Sequence, residues 1–276
     1  MKKFLFVVAI SLSHVTTWAQ VKVTGLLCEN RVNPIGLGHA KPRLSWIIGS
    51  TQRNVMQSAY EVRVAADAAA LQKGNSTWNS GKISSDQSVY ISYAGTPLQS
   101  GQKYYWQVRV WDNAGKVSAW SPTAHWQMGL LQPSDWKAKW IGVGYEEDTV
   151  LRPSPLLRKQ FTAGKKIKSA VAFITAHGLY EAFINGKRVG DLYLTPGWTS
   201  YNKRLQYQTY DVTGLIAEGG NAIGVKLGSG WYRGTLAWEK NKDVYGKDLG
   251  LLLQLNIAYT DGTSEVVTSD ESWKSA

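Results

Sequence analysis

Residues 98–111 read LQSGQKYYWQVRVW, and after Lys103 apolar and polar residues alternate. Because successive side chains of a β-strand point to opposite faces, this alternation predicts a strand with one face in a core. The predicted inward residues are Tyr104, Trp106, Val108 and Val110. Leu98 precedes Tyr104 by the spacing of a tyrosine corner, in which the phenol hydroxyl bonds back to upstream backbone. Residues 112–115, DNAG, then predict a hairpin turn.

Short alternating runs separated by turn residues extend from residue 20 to about residue 131. This pattern is typical of a β-sandwich rather than of helices, and residues 60–64 are a second clean example. The best helical candidate, residues 65–71, is short and has Asp67 near its start. With the corner at Tyr104, residues 20–131 resemble a fibronectin type III domain.

A proline-containing connector, residues 132–144, carries Trp136 and Trp140, which we expect to pin it against a neighbouring domain. Strand patterns resume from residue 145, and Asn185-Gly186 is a strong hairpin signal. The predicted strands of this second domain are 169–174, 180–184, 187–189, 205–212, 222–227 and 249–259. The chain is therefore predicted to be all-β, with domains at 20–131 and 145–276.

The first 19 residues have the order of a secretory signal peptide: Lys2 and Lys3, an apolar run from Phe4, and small residues that end at Ala19. The apolar run is too short to span a bilayer, and no later segment resembles a membrane helix. A secreted or periplasmic protein without a membrane span is predicted. The single cysteine, Cys28, cannot form an internal disulfide and is expected to be a buried small hydrophobe.

Composition limits the classes of partner. The formal net charge is +11, but Lys and Arg are scattered without a basic block or basic helix, which argues against nucleic acid. The chain has 13 Trp, 14 Tyr and 27 Gly, which fits β-sheets joined by tight turns and, in an exported protein, surfaces that stack on sugar rings.

The sequence offers no convincing catalytic constellation. His39, His125 and His177 lack the spacing of metal ligands, which favours a structural role, and a GxSxG nucleophile motif is missing. Glycosidases need two carboxylates about 5–10 Å apart across the scissile bond. The acidic clusters at 146–148 and 270–271 read instead as solvated loop charge. No catalytic residue is predicted in this chain.

Three segments carry a resemblance to a known family: GLYEAFINGKRVGD (178–191), TPGWTSYNKRLQYQTYDV (195–212) and GSGWYRG (228–234). Their order resembles the N-terminal accessory domain of bacterial α-L-rhamnosidases, a galactose-binding-like β-jelly roll. Residues 28–36, CENRVNPIG, and 42–46, PRLSW, resemble the start of the same enzymes. The resemblance covers essentially the whole chain after the signal peptide.

The resemblance implies hydrolysis of terminal α-L-rhamnose from glycans by inversion, with the acid and the base on a large α/α-barrel that follows these domains. The chain as given is expected to lack that catalytic domain, to be inactive alone, to position the catalytic domain and to bind a rhamnose-containing glycan. The jelly roll at 145–276 is expected to be truncated, with closing strands still to come.

In some members of the family a jelly roll binds rhamnose through calcium, which prefers acidic and amide oxygens. The resemblance makes Asn185 and Asp191 candidate metal ligands. It makes four aromatic residues candidate stacking platforms: Trp198, Tyr201, Trp231 and Tyr232. Structural alternatives stay open, because Asn185 also suits the turn, Asp191 also suits a loop cap, and the aromatics also suit a core or a contact with the catalytic domain.

Two rival hypotheses belong to other classes of protein. The first is a complete, secreted, non-catalytic carbohydrate-binding module. The second is a purely structural module, which predicts no affinity for sugar, so that a sugar titration separates the two.

Overall fold

The computed structural model describes residues 21–148, 150–237 and 241–276, so the predicted signal peptide lies outside the described residues. Within them the chain is all-β, as predicted, with two short α-helices and two 3-10 turns. The strands form two consecutive sandwiches, each built from two antiparallel sheets. No helix in the described ranges is long and apolar enough to cross a membrane.

The first sandwich contains eight strands and one helix. In chain order these are β1 (Lys22–Cys28), β2 (Arg43–Gly49), β3 (Gln57–Ala65), α1 (Ala68–Gln72), β4 (Trp78–Asn79), β5 (Ile83–Ser84), β6 (Ile91–Ser92), β7 (Lys103–Asp112) and β8 (Ala124–Gln127). One sheet has the order β1-β2-β6 and the other β4-β3-β7-β8, with β5 pairing with β3. Three fully buried tryptophans fill the space between the sheets: Trp46, Trp106 and Trp126.

Local predictions for this sandwich are confirmed. The four inward residues of β7 are buried, and the backbone N–H of Gln99 donates to Tyr104 Oη at 2.9 Å, which is the tyrosine corner. The turn after β7 closes when Asp112 Oδ1 accepts from the N–H groups of Ala114 and Lys116. Asp67 caps α1 by accepting from the backbone N–H of Ala70 at 2.7 Å.

The second sandwich contains nine strands and one helix. They are β9 (Leu156–Ala163), β10 (Ile167–His177), β11 (Leu179–Ile184), β12 (Lys187–Arg188), β13 (Gln208–Asp211), β14 (Gly219–Gly228), α2 (Gly230–Arg233), β15 (Gly250–Tyr259), β16 (Ser264–Thr268) and β17 (Lys274–Ser275). The sheets have the orders β13-β10-β15-β16 and β12-β11-β14-β9-β17. Inward Ala, Ile, Leu and Val side chains of both sheets form the core.

The predicted strands of this sandwich are present, but β9, β16 and β17 were missed and the strand predicted at 205–212 is only β13. The Asn185-Gly186 hairpin between β11 and β12 is confirmed, with φ of 51° and 78° at its two residues. Strand β17 pairs with β9. The prediction that closing strands are still to come stays a prediction.

The two sandwiches share a small core of their own. Leu130, Val171 and Phe173 are buried there, with Trp136 of the connector packed against them. Tyr207 locks this junction, because its hydroxyl accepts from the N–H of Leu130 at 2.8 Å and lies 3.2 Å from the Leu130 carbonyl oxygen. Connector residues 132–144 therefore pack against the second sandwich, as expected from their two tryptophans.

A close backbone approach completes the junction. A Cβ at Gly129 would collide with Tyr207 Oη, so any side chain at position 129 would force this tyrosine to move. Lys103 of β7 also lies 3.8 Å from Asp211 of β13 across the boundary. The two sandwiches meet through packed side chains rather than through a loose linker.

Candidate functional site

Loops at one end of the second sandwich bring together an aromatic cluster, which we define as Trp198, Tyr201, Trp231, Tyr232 and Tyr245. The indoles of Trp198 and Trp231 are nearly parallel, with centroids 5.9 Å apart and planes at 8°. Tyr201 contacts Tyr232 and Tyr245 edge-on, at centroid distances of 5.5 and 4.9 Å. The structure thus gathers all four predicted stacking residues and adds Tyr245.

The members of the aromatic cluster differ in exposure. Trp198 is 55% exposed, and its Nε1–H donates to Tyr245 Oη at 3.2 Å. Trp231 is half-buried, whereas Tyr201 is buried and donates its hydroxyl to the Gly197 carbonyl. Trp198 is therefore the most accessible ring of the cluster, and the buried Tyr201 packs against Tyr232 and Tyr245.

A stack of rings extends from the aromatic cluster into the domain. Tyr232 lies parallel to His177, with centroids 4.8 Å apart, and His177 stacks on Trp140 of the connector at 4.0 Å. Burial lowers the pKa of His177 and so favours its neutral imidazole. This fits the structural role predicted for His177. No local sequence pattern predicts the stack, because its rings come from three separate segments.

Hydrogen bonds hold the loop that carries Trp198. Thr195 is buried, and its hydroxyl donates to the Tyr180 carbonyl at 2.9 Å. Gln208 donates to the Pro196 carbonyl, and Thr199 donates to the Arg204 carbonyl at 2.5 Å. The segment before Trp198 is tied to β11 and β13, and the turn after it is closed by its own hydrogen bond, so the position of the indole follows from the fold.

Arg233 anchors the helix α2, which carries Trp231 and Tyr232. Its side chain is 3% exposed and donates to both carboxylate oxygens of Glu147, at 2.6 and 3.0 Å. It also donates to Ser229 Oγ and to the Lys247 carbonyl. The prediction of a merely solvated cluster at 146–148 was wrong for Glu147, because this carboxylate balances a buried cation.

A second ion pair joins the same loops. Arg152 donates to the two carboxylate oxygens of Asp243, at 2.9 and 3.2 Å. The hydrogen bond from Arg152 holds the pKa of Asp243 below its usual value. The other acidic segment is also paired, since Asp270 accepts from Lys159 and Glu271 from Lys139. Both acidic segments therefore brace the domain.

The two predicted metal ligands lie apart. The amide of Asn185 is engaged in the fold: its Oδ1 accepts from Ala222 N–H, and its Nδ2 donates to the Leu215 carbonyl and to Asn221 Oδ1. Asp191 lines a different cavity, of about 390 Å³, between the two sandwiches. Calcium takes six to eight oxygens, and these two residues do not form such a set.

The described ranges contain no group of three or more His, Cys, Asp or Glu residues that could hold a metal ion. The residues present do not fit a calcium ion at Asn185 and Asp191, and the calcium hypothesis stays a prediction without a ligand set.

Family comparisons match both sandwiches. Residues 23–132 match the family described as "Rha78A-like, N-terminal immunoglobulin domain", and residues 165–276 match "Alpha-L-rhamnosidase N-terminal domain". The chain carries the two N-terminal domains of the α-L-rhamnosidase family. The fibronectin-like and jelly-roll domains expected from the sequence are thus the family's immunoglobulin-like and N-terminal domains.

Relatives in this family are longer than the chain. An α-L-rhamnosidase of Formosa agariphila is 41% identical over 256 residues, which cover 90% of this chain and 28% of the relative. The structure of Streptomyces avermitilis α-L-rhamnosidase complexed with L-rhamnose matches with a TM-score of 0.85 and 27% identity, over 93% of this chain and 41% of that one. The α-L-rhamnosidase of Dictyoglumus thermophilum gives a TM-score of 0.82 and 35% identity, over 92% and 29%.

Proposed function

We propose that this chain is the N-terminal region of a secreted α-L-rhamnosidase, which hydrolyses terminal α-L-rhamnose from glycans, and that its own role is to support the catalytic domain. In that hydrolysis, water attacks the anomeric carbon and the glycosidic oxygen leaves with a proton. Both carboxyl groups for this chemistry would belong to the catalytic domain.

The shared core between the sandwiches is the observation that carries the supporting role. Phe173, Trp136 and Tyr207 pack edge-to-face there, with ring centroids 5.4 to 6.4 Å apart. Fixed packing of this kind makes two domains move as one body, whereas a flexible linker would leave them independent. A rigid support can hold a third domain at a constant position.

An activity assay tests the main proposal. The polypeptide encoded by the complete reading frame should release L-rhamnose from an aryl α-L-rhamnoside, and residues 21–276 alone should not. A folded complete polypeptide without rhamnosidase activity would overturn the proposal. Activity in residues 21–276 alone would overturn the supporting role.

A second candidate function is carbohydrate binding at the aromatic cluster, favoured by the nearly parallel indoles of the exposed Trp198 and the half-buried Trp231. Sugar rings stack on such faces, so L-rhamnose should give measurable heat in a titration. Trp198→Ala should weaken binding at least tenfold, whereas Met56→Ala, an exposed apolar residue of the first sandwich, should not change it.

The same titration separates the remaining alternatives. If L-rhamnose gives no heat, the remaining hypothesis is that the aromatic cluster has a structural role. Equal heats with and without EDTA would exclude the calcium version, and loss of heat with EDTA would support it.

A further inference from the structure

The loop after β12 presents large apolar side chains to solvent. Leu192, Tyr193 and Leu194 follow one another there, with Tyr193 79% and Leu194 59% exposed. Monomeric proteins seldom expose contiguous apolar patches, and such patches mark interaction surfaces. We call Leu192, Tyr193 and Leu194 the apolar ridge.

Interactions on both sides hold the apolar ridge in place. Arg188 donates to the carbonyls of Gly190 and Leu192, at 3.1 and 2.5 Å, and its guanidinium lies 4.5 Å from the Tyr193 ring centroid. On the other side, Thr195 and Tyr180 exchange hydrogen bonds. The exposure of the ridge is thus fixed by the fold rather than by a loose loop.

Leu194 also has an unfavourable backbone conformation. Its φ is +55°, a region that L-residues other than Gly, Asn and Asp seldom adopt. A leucine here adds strain, and at 59% exposure it buries little apolar surface in return. Strain of this kind persists where the surroundings impose it and is concentrated at functional positions.

A groove runs beside the apolar ridge. Its cavity of about 220 Å³ is lined by Tyr193 and Leu194 on one side, Ser154 on another, and residues of β11 and β14. Its charged lining residues are Glu181 and Lys226, which face each other in the β11–β14 register. These opposite charges balance, so the groove favours an apolar occupant rather than an acidic or a basic one.

A further apolar side chain adjoins the groove on the chain segment that contains Ser154. Leu156 is 53% exposed and pairs with the groove residue Lys226 in the β9–β14 register. The N–H of Leu227, a groove residue, donates to the Pro155 carbonyl, which ties this segment to β14. The ridge, the groove and Leu156 therefore form one apolar face of the second sandwich.

We propose that this face is the docking surface for the catalytic part of the α-L-rhamnosidase polypeptide. The inference rests on the proposed function. The relatives carry most of their length outside the region that the chain matches, so an occupant joined to the same polypeptide is available to cover the face. A tethered occupant needs little affinity of its own, because its effective concentration is high.

Cysteine labelling tests the docking surface directly. The native thiol, Cys28, is buried and its pKa is raised to about 12 by burial, so it gives little background. Leu194→Cys should react at least tenfold more slowly in the complete polypeptide than in residues 21–276. The matched control is Val32→Cys, an exposed position of the first sandwich, which should react equally in both.

Equal labelling of Leu194→Cys in both polypeptides would overturn the docking surface. Labelling of Leu194→Cys that slows only at high concentration of residues 21–276 would indicate a second copy and would also overturn it. Labelling that slows only when L-rhamnose is added would indicate a sugar site, with the same consequence. Rhamnosidase activity measured on the same complete polypeptide separates failure of the docking surface from failure of the proposed function.

Leu194→Gly should change the melting temperatures of the two polypeptides in different directions. Glycine relieves the strained φ, so residues 21–276 should keep or raise their melting temperature. The complete polypeptide should lose the apolar contact and unfold its catalytic part at a lower temperature. An equal shift of both melting temperatures would contradict docking through Leu194.

Discussion

Arg233 is a cation almost wholly removed from solvent, and Glu147 is the carboxylate that balances it. The partners are 86 residues apart in sequence, so no local pattern predicts the pair. By contrast, Trp198 and Trp231 could be predicted from the segments around them. Their parallel arrangement could not, because it depends on two loops that meet only in the fold.

Glu147→Gln should destabilise the second sandwich, because it leaves Arg233 buried without a counter-charge. We expect a loss of about 3 kcal/mol in the free energy of unfolding, measured in urea. Glu146→Gln removes the same charge from the exposed neighbouring residue and serves as the control. Equal effects of the two substitutions would show that the pair does not anchor α2.

Asp243 should make stability depend on pH. Its pKa is lowered in the folded state, chiefly by the hydrogen bond from Arg152, so its contribution is present above the ordinary aspartate pKa and is lost as pH falls. Asp243→Asn should therefore lower stability at pH 7 and flatten the loss of stability between neutral and acidic pH. An unchanged pH profile in thermal melts would exclude this contribution.

Among the elements, those with strong local signals were predicted correctly. Strand β7 alternates cleanly, and the Asn185-Gly186 turn requires positive φ at both residues, which these residue types allow. Strand β9 was missed because Lys159 stands in its inward series and Leu156 in its outward series, and both break the alternation of apolar and polar residues. Its identity depends on pairing with β14, which is a tertiary contact.

Segment 117–121 shows how an irregular element can replace a strand. The hydroxyls of Ser118 and Ser121 accept from the N–H groups of Val110 and Val108 on β7. Trp120 contacts two guanidinium groups, with Arg63 4.1 Å and Arg109 4.7 Å from its ring centroid. The edge of β7 is covered without a further regular strand.

Trp120→Ala should lower the free energy of unfolding by about 1–2 kcal/mol, because both cation–π contacts are lost. Val89→Ala, at an exposed position of the same sandwich, should change it by less than about 0.5 kcal/mol. Chemical denaturation of both variants gives the comparison. A Trp120→Ala variant as stable as the control would mean that the stacked cations add nothing.

At the scale of the whole molecule, the sandwiches are coupled through Gly129 and Tyr207. Gly129→Ala should lower stability by about 1–3 kcal/mol, as overpacking does, and should separate thermal unfolding into two transitions. Gly164→Ala is the control, because a Cβ there meets no atom within 4 Å. A single transition at an unchanged temperature would contradict a coupled junction.

The coding DNA beyond codon 276 tests the central claim most directly, namely that this chain is the N-terminal region of an α-L-rhamnosidase. The account predicts an open frame that continues into a helical barrel with acidic residues for the hydrolysis. A stop codon directly after Ala276 would contradict it, and would leave a small binding or structural protein.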